Sequence, residues 1–176
     1  PLALYLFNNY SIEKSIKAFL PFVGVIVLYL ALRYNTMGEV GENSAEEVLN
    51  NPYLFASPGE KLATEIATCL NYIRLLIFPH PLSADYSYNS IPYKDFGNPL
   101  VWISFAIHAG LIFLMFALIK KRSVLGFALA FYLLHFALVC NIIFDIGATM
   151  GERLVYHSSV GFAIIVAWLL VKGEEK

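Results

Sequence analysis

The sequence predicts an all-α, polytopic transmembrane helical bundle, with an external loop region carrying an amphipathic juxtamembrane helix. Composition is the first reason. Hydrophobic residues make up 59% of the chain and charged residues 14%, with a mean hydropathy of +0.65, against about 25% charged in an ordinary soluble domain. Patterning is the second. Three uncharged apolar runs, 100–119, 124–144 and 154–171, are broken only by Lys120-Lys121-Arg122 and by the polar segment 145–153. A run of about 20 residues rising roughly 1.5 Å per residue matches the roughly 30 Å hydrocarbon core of a bilayer. Backbone in lipid has to satisfy its own N–H and C=O groups, so each run is expected to be a helix.

The chain opens in the middle of an apolar run, Pro1-Leu2-Ala3-Leu4-Tyr5-Leu6-Phe7, which reads as the tail of an earlier span, so the chain is expected to be an internal piece of a larger protein. Glu13, Lys14 and Lys17 then precede a short apolar run ending at Arg33. Snorkelling Lys17 and Arg33 extend it into a span over about 18–33. Pro21 falls in its first turn, where a missing N–H costs little. The region 34–99 is expected to be external. It begins as an acidic, glycine-containing loop with a short helix near 45–49.

Ser57-Pro58-Gly59-Glu60 is a capping box with proline at the first helical position. In the helix that follows, Leu62, Ile66, Leu70, Ile73 and Ile77 share one face, while Lys61, Thr64, Glu65, Thr68, Asn71 and Tyr72 share the other. Two readings stand. The helix lies along the membrane interface, or it spans with its polar face lining a cavity, because Glu65 and Arg74 at lipid depth cost roughly 2.5 to 3.5 kcal/mol each. Pro79 and Pro81 end it in both readings. The loop 80–99 is aromatic and sparsely charged, which suits headgroups or the roof of a cavity.

Orientation follows from the basic residues close to span ends. Lys120-Lys121-Arg122 is the densest cluster and is expected in the cytoplasm, which puts 80–99 and 145–153 outside. The net charge of −1 and the lack of a basic patch argue against nucleic acid. Cys69 and Cys140 show no CxxC or Cys/His spacing, so neither a metal site nor a disulfide framework is expected. Internal repeats, low-complexity tracts, Ser-His-Asp spacing and phosphate-cradling glycine loops are all missing from the sequence.

Three groups of residues carry candidate chemistry. Gly151-Glu152-Arg153 stands at the outer mouth of the last helix, where an arginine grips a phosphate or carboxylate through two parallel N–H bonds. The plainer reading is that Thr149-Met150-Gly151-Glu152 is a capping box and that Arg153 pairs with Asp145 or a headgroup. Asp85-Tyr86-Ser87-Tyr88-Asn89 offers planar faces, an amide and a carboxylate suited to sugars or a cation, although the same residues are ordinary in turns and at interfaces. His157, one turn after Arg153, would share its helix face. His108 and His135 lie within spans, as a relay or as neutral rings bonded across helices.

A family resemblance rests on Asn51-Pro52-Tyr53-Leu54-Phe55-Ala56, on the loop Phe78-Pro79-His80-Pro81-Leu82-Ser83-Ala84-Asp85-Tyr86-Ser87-Tyr88-Asn89-Ser90-Ile91-Pro92, and on Gly151-Glu152-Arg153-Leu154-Val155-Tyr156 with Ser159-Val160-Gly161. These resemble the membrane core of the transmembrane and tetratricopeptide repeat-containing proteins, in a bacterial-like form, over roughly 16–171. That family is similar to the C-type glycosyltransferases, which use a polyprenyl-phosphate sugar outside the cytoplasm; animal members are linked to O-mannosylation of Ser and Thr. The resemblance places the catalytic acid on an external loop upstream of these residues, and tetratricopeptide repeats downstream. Where the family usually has Leu-Pro-Ser after the tyrosine, this chain has His157-Ser158-Ser159.

The resulting expectation is that residues 1–176 are a fragment of one transmembrane glycosyltransferase-like domain. It would help transfer a mannose-like sugar from a polyprenyl-phosphate donor to a protein or other acceptor hydroxyl. Arg153, Glu152, Asp85, Tyr86, Tyr88, Asn89 and His157 are the expected substrate-binding residues, the resemblance passes the catalytic role to no residue here, and the chemistry proceeds with or without a divalent cation. The bilayer is the first partner, in a bacterial inner membrane or, in a eukaryote, the endoplasmic reticulum. The alternatives are a transporter or flippase with a polar path through His108, His135 and Asn141, and a non-catalytic assembly subunit.

Overall fold

The computed structural model describes residues 1–8, 10–37, 51–83, 86 and 90–174. Its elements are α1 (Leu2–Phe7), α2 (Ile12–Lys17), α3 (Leu20–Met37), α4 (Pro58–Ile77), α5 (Pro99–Lys120), α6 (Val124–Phe136), a 3-10 turn (Glu152–Val155) and α7 (Tyr156–Glu174). Every regular element among the described residues is helical. The short helix expected near 45–49 lies outside them.

Among the described residues three helices are long and apolar enough to cross a membrane: Ile12–Thr36 with 25 residues, Pro99–Lys120 with 22 and Glu152–Glu174 with 23. The first is α2 and α3 in sequence, separated at Ala18 and Phe19, because the Pro21 ring removes one donor and crowds the carbonyl four residues earlier. Very little of these helices is covered by the rest of the chain. Phe113, Phe116 and Trp102 on α5 are 77%, 58% and 56% exposed. In water such a surface would cost about 25 cal/mol per Å2 of apolar area, whereas lipid tails accept it.

α5, α6 and α7 form an antiparallel series. Asn98 caps α5 by accepting from the Leu100 amide at 3.0 Å, and Ser123 caps α6 by accepting from the Leu125 amide at 3.2 Å. The basic turn between them needs Arg122 at φ 51°. Gly126 lets the two backbones approach there, since a Cβ would stand 2.7 Å from the Ile119 nitrogen. α6 and α7 meet even more tightly. A Cβ on Gly161 would fall 2.5 Å from the Ala128 carbonyl oxygen and 2.7 Å from the Tyr132 nitrogen. His135 and His157 stack at the other end of the same pair, 6.3 Å apart.

The apolar run 124–144 is helical only as far as Phe136, short of the full span expected from its hydropathy. Asn141 accounts for much of the difference. It sits at φ 65°, a left-handed conformation that asparagine tolerates. Its amide donates to the carbonyls of Ala148 at 2.7 Å and Thr149 at 3.2 Å, and its Oδ1 accepts from the Ile146 amide at 2.9 Å. One side chain thus closes the segment 141–149 into a loop that lies over α4. α7 likewise begins later than expected, after the 3-10 turn.

α4 starts on its capping box: Ser57 Oγ accepts from the Glu60 amide at 3.3 Å, and Glu60 Oε2 accepts from the Ser57 amide at 2.9 Å. It then lies alongside α5 and advances in the same direction. Ala63 and Ala67 pack on Val101, Ser104 Oγ donates to the Ile66 carbonyl, and Cys69 and His108 line one cavity. The face it buries reverses the interfacial expectation. Thr64, Glu65, Thr68 and Tyr72 are turned into the protein, while Leu62 and Ile77 look outward. Small residues admit the close approach to α5, and the polar atoms find partners inside. The Thr64 hydroxyl accepts from the Lys94 amide at 2.8 Å, and that of Thr68 donates to the Thr64 carbonyl at 2.7 Å. A core of Cys69, Tyr72, Leu75, Ile91, Tyr132, Phe136, Met150 and Val155 joins α4 to α6 and to both flanking loops.

Candidate functional site

Two segments far apart in sequence meet at the start of α7. The segment after α4 brings Ser83 and Tyr86, and the 3-10 turn brings Glu152 and Arg153. Tyr72, buried on α4, fixes the approach: its hydroxyl accepts from the Gly151 amide at 2.9 Å, while its ring packs edge-on against Phe136. Glu152 Oε1 then accepts from the Tyr86 hydroxyl at 2.6 Å and from the Ser83 amide at 2.9 Å. The capping box expected from Thr149 to Glu152 is not formed. Gly151 precedes the turn with no side-chain cap, and Glu152 reaches across to the other segment instead.

Burial, and then the bond to Glu152, push the Tyr86 phenol up to about 12. It therefore stays protonated at neutral pH and remains a donor. Two donors thus hold the Glu152 carboxylate in place on this side of the cavity. The chain continues directly into Arg153, which is exposed and lines a cavity of about 300 Å3 with Ser83, Tyr86, Met150, Glu152 and Leu154. Among the described residues no carboxylate pairs with its guanidinium. Asp145, one expected partner, is taken by Lys61 at 2.8 Å.

Sequence reasoning left Arg74 out of the site. Its charge acts on Tyr86, opposing the upward shift of the phenol, so a second cation stands near the cavity. The signal was faint: an exposed arginine on a helix whose outward face could not be assigned without its neighbours. His157 is not among the cavity residues. The 3-10 turn has three residues per turn, so Arg153 does not share a face with the residue four ahead of it. His157 instead lies against the rings of His135 and Tyr156. Asp85, Tyr88 and Asn89 lie outside the described residues. Among the described residues no three His, Cys, Asp or Glu side chains cluster as metal ligands.

His108 and His135 each bond the carbonyl one turn earlier on their own helix, Ser104 and Phe131, both at 2.8 Å. Asn141 uses its amide on its own loop. Each of the three thus makes a hydrogen bond within its own segment, while His108 Nε2 is buried without one among the described residues. The two cysteines are buried free thiols that line a separate, apolar cavity of about 220 Å3 between α4, α5 and α6. Comparison with protein-family models, with curated proteins and with solved structures gives no match to this chain.

Proposed function

We propose that this chain is part of a multi-pass membrane glycosyltransferase and that the cavity at Ser83, Tyr86, Glu152 and Arg153 holds the phosphate of a polyprenyl-linked sugar donor. One observation carries the reading. Arg153 is exposed on the cavity wall without a carboxylate partner among the described residues, while its neighbour Glu152 is bound by Tyr86 and Ser83. Such a wall favours an anion, and a guanidinium matches a phosphate in two parallel bonds.

Position supports it too. α6 starts at the Lys120-Lys121-Arg122 turn and α7 runs back along it, so the cavity and the basic turn stand at opposite ends of this helix pair. With the basic turn in the cytoplasm, the 13 residues of α6 lift the cavity about 20 Å from that face, and in this reading it opens toward the non-cytoplasmic side of a bacterial inner membrane or of the endoplasmic reticulum. In the transfer, the acceptor oxygen bonds to the anomeric carbon as the bond from that carbon to the phosphate oxygen breaks. The polyprenyl phosphate leaves with both electrons. Arg153 stabilises the charge that develops on it. The acceptor proton passes to a carboxylate that the family resemblance places on an upstream loop.

The test is transfer from labelled polyprenyl-phosphate mannose by the full-length protein in lipid nanodiscs. Arg153→Ala is expected to raise KM for the donor and lower kcat, and Arg153→Lys to restore only part of either. Unchanged kinetics in Arg153→Ala would remove the arginine from the site.

A further inference from the structure

A second polar cluster lies at the other end of the loop that carries the cavity. Glu65, on the second turn of α4, is almost wholly buried, and its Oε1 makes no hydrogen bond among the described residues. The nearest cation is Lys61, one turn earlier, whose Nζ stands 3.9 Å from that oxygen. The same ammonium already donates to both oxygens of Asp145, at 2.8 and 3.0 Å, and lies over the Tyr53 ring. One ammonium thus serves two carboxylates on two elements. The next residue after Asp145, Ile146, lines the anion cavity.

We propose that Glu65 is a proton site whose occupancy decides which carboxylate holds Lys61, and that through Asp145 it positions the loop that walls the anion cavity. The consequence for the cavity rests on the function proposed above; the proton site does not. The charged and titratable groups around Glu65 are Lys61 and Cys69 on α4, Asp145 and Cys140 on the segment after α6, and Tyr53 before α4. Desolvation raises the Glu65 carboxyl to about 7, with Asp145 and Cys140 adding to the shift and Lys61 opposing it.

With the proton on, Glu65 is neutral and Lys61 belongs to Asp145. With the proton off, a buried carboxylate lacks a partner, and a movement of about 1 Å brings the ammonium to hydrogen-bonding distance. Asp145 gives it up cheaply, because its side chain is 69% exposed and water replaces the lost bond. The buried acid therefore wins the competition. The loop 141–149 then keeps its Asn141 bonds but loses its tie to α4.

Hydrogen exchange of the amides in 145–149, in the full-length protein at about pH 5.5 and about pH 8.5, tests this on either side of the Glu65 midpoint. After correction for intrinsic chemistry, wild-type protection is expected to fall several-fold at the higher pH. Glu65→Gln keeps it at both values, and Asp145→Asn lacks it at both. Protection that ignores pH in the wild type, or a Glu65→Gln variant that follows the wild type, overturns the proposal. Should Glu65→Gln not fold, infrared spectra of wild-type protein with isotope-labelled glutamate decide instead. A protonated-carboxyl band lost between the two pH values supports the proposal, and its absence at the lower pH overturns it. Binding of a short-chain prenyl phosphate is a separate measurement: its failure removes the anion cavity and leaves the exchange result standing.

Discussion

The Tyr86 hydroxyl donates to Glu152 Oε1 at 2.6 Å, across 66 positions of the chain. This bond keeps the carboxylate occupied while the adjacent Arg153 faces the cavity. Tyr86→Phe removes the donor and leaves the ring. Glu152, then bound only by the Ser83 amide, is free to swing toward Arg153 and to repel an anion. Affinity for a short-chain prenyl phosphate is expected to fall about tenfold, the equivalent of ~1.4 kcal/mol, by calorimetric titration. Thermal stability should change little, because Tyr72 still holds Gly151. An unaltered Kd would show that the carboxylate's setting is irrelevant to the cavity.

The orientation of α5, α6 and α7 is open to direct chemical labelling. Single cysteines at exposed Asp95 and Lys121, introduced into a variant with Cys69 and Cys140 replaced by serine, report the two ends of α5. A membrane-impermeant maleimide added to right-side-out vesicles is expected to modify the first and spare the second. Modification of both from the same side would refute the crossing of α5 and, with it, the non-cytoplasmic placement of the cavity.

Much of this architecture is legible in the residues. The span read over 100–119 is helical over Pro99–Lys120, and the Ser57 capping box forms as its spacing implies. The rest depends on what each face meets. Periodicity separates polar from apolar faces in α4 without saying which one meets protein, and a helix beside lipid-facing neighbours can turn Thr64, Glu65 and Thr68 inward. Hydropathy also runs past Phe136 without registering that one asparagine side chain will satisfy three backbone groups. In the site, Arg153 stands out by type and position, yet its setting is made by Ser83 and Tyr86, and a distant bond of that kind leaves no local pattern. Lys61 and Asp145 are 84 positions apart, beyond any motif.

Gly161 marks the tightest contact between α6 and α7. Alanine there would put a methyl group within 2.5 to 2.9 Å of the Ala128 carbonyl and of the Tyr132 backbone and Cβ, none of which is a flexible side-chain end. The helices would have to separate, and overpacking of this kind costs typically ~1 to 3 kcal/mol. Gly161→Ala is expected to lower the midpoint of unfolding in detergent. Gly173→Ala, where nothing stands within 4 Å, should leave it unchanged or raise it slightly through helix propensity. Equal behaviour of the two variants would mean that this crossing does not hold the bundle together.

Glu65 makes a pH dependence of stability whose sign can be worked out. Its carboxyl rises from 4.5 to about 7 in the folded chain, mainly by desolvation. Below the unfolded value both states carry the proton and the residue costs nothing. Between that value and about 7 the folded state binds more protons than the unfolded state, so stability declines as pH rises. Above about 7 both states are ionised and the loss is constant, on the order of 3 kcal/mol at most. Glu65→Gln has no proton to release. It is expected to match the wild type near pH 4 and to be the more stable protein near pH 8, by reversible denaturant titration in micelles. A wild type that gains stability on the variant as pH rises would mean that Lys61 more than offsets the desolvation of ionised Glu65, contrary to the upward shift of its carboxyl.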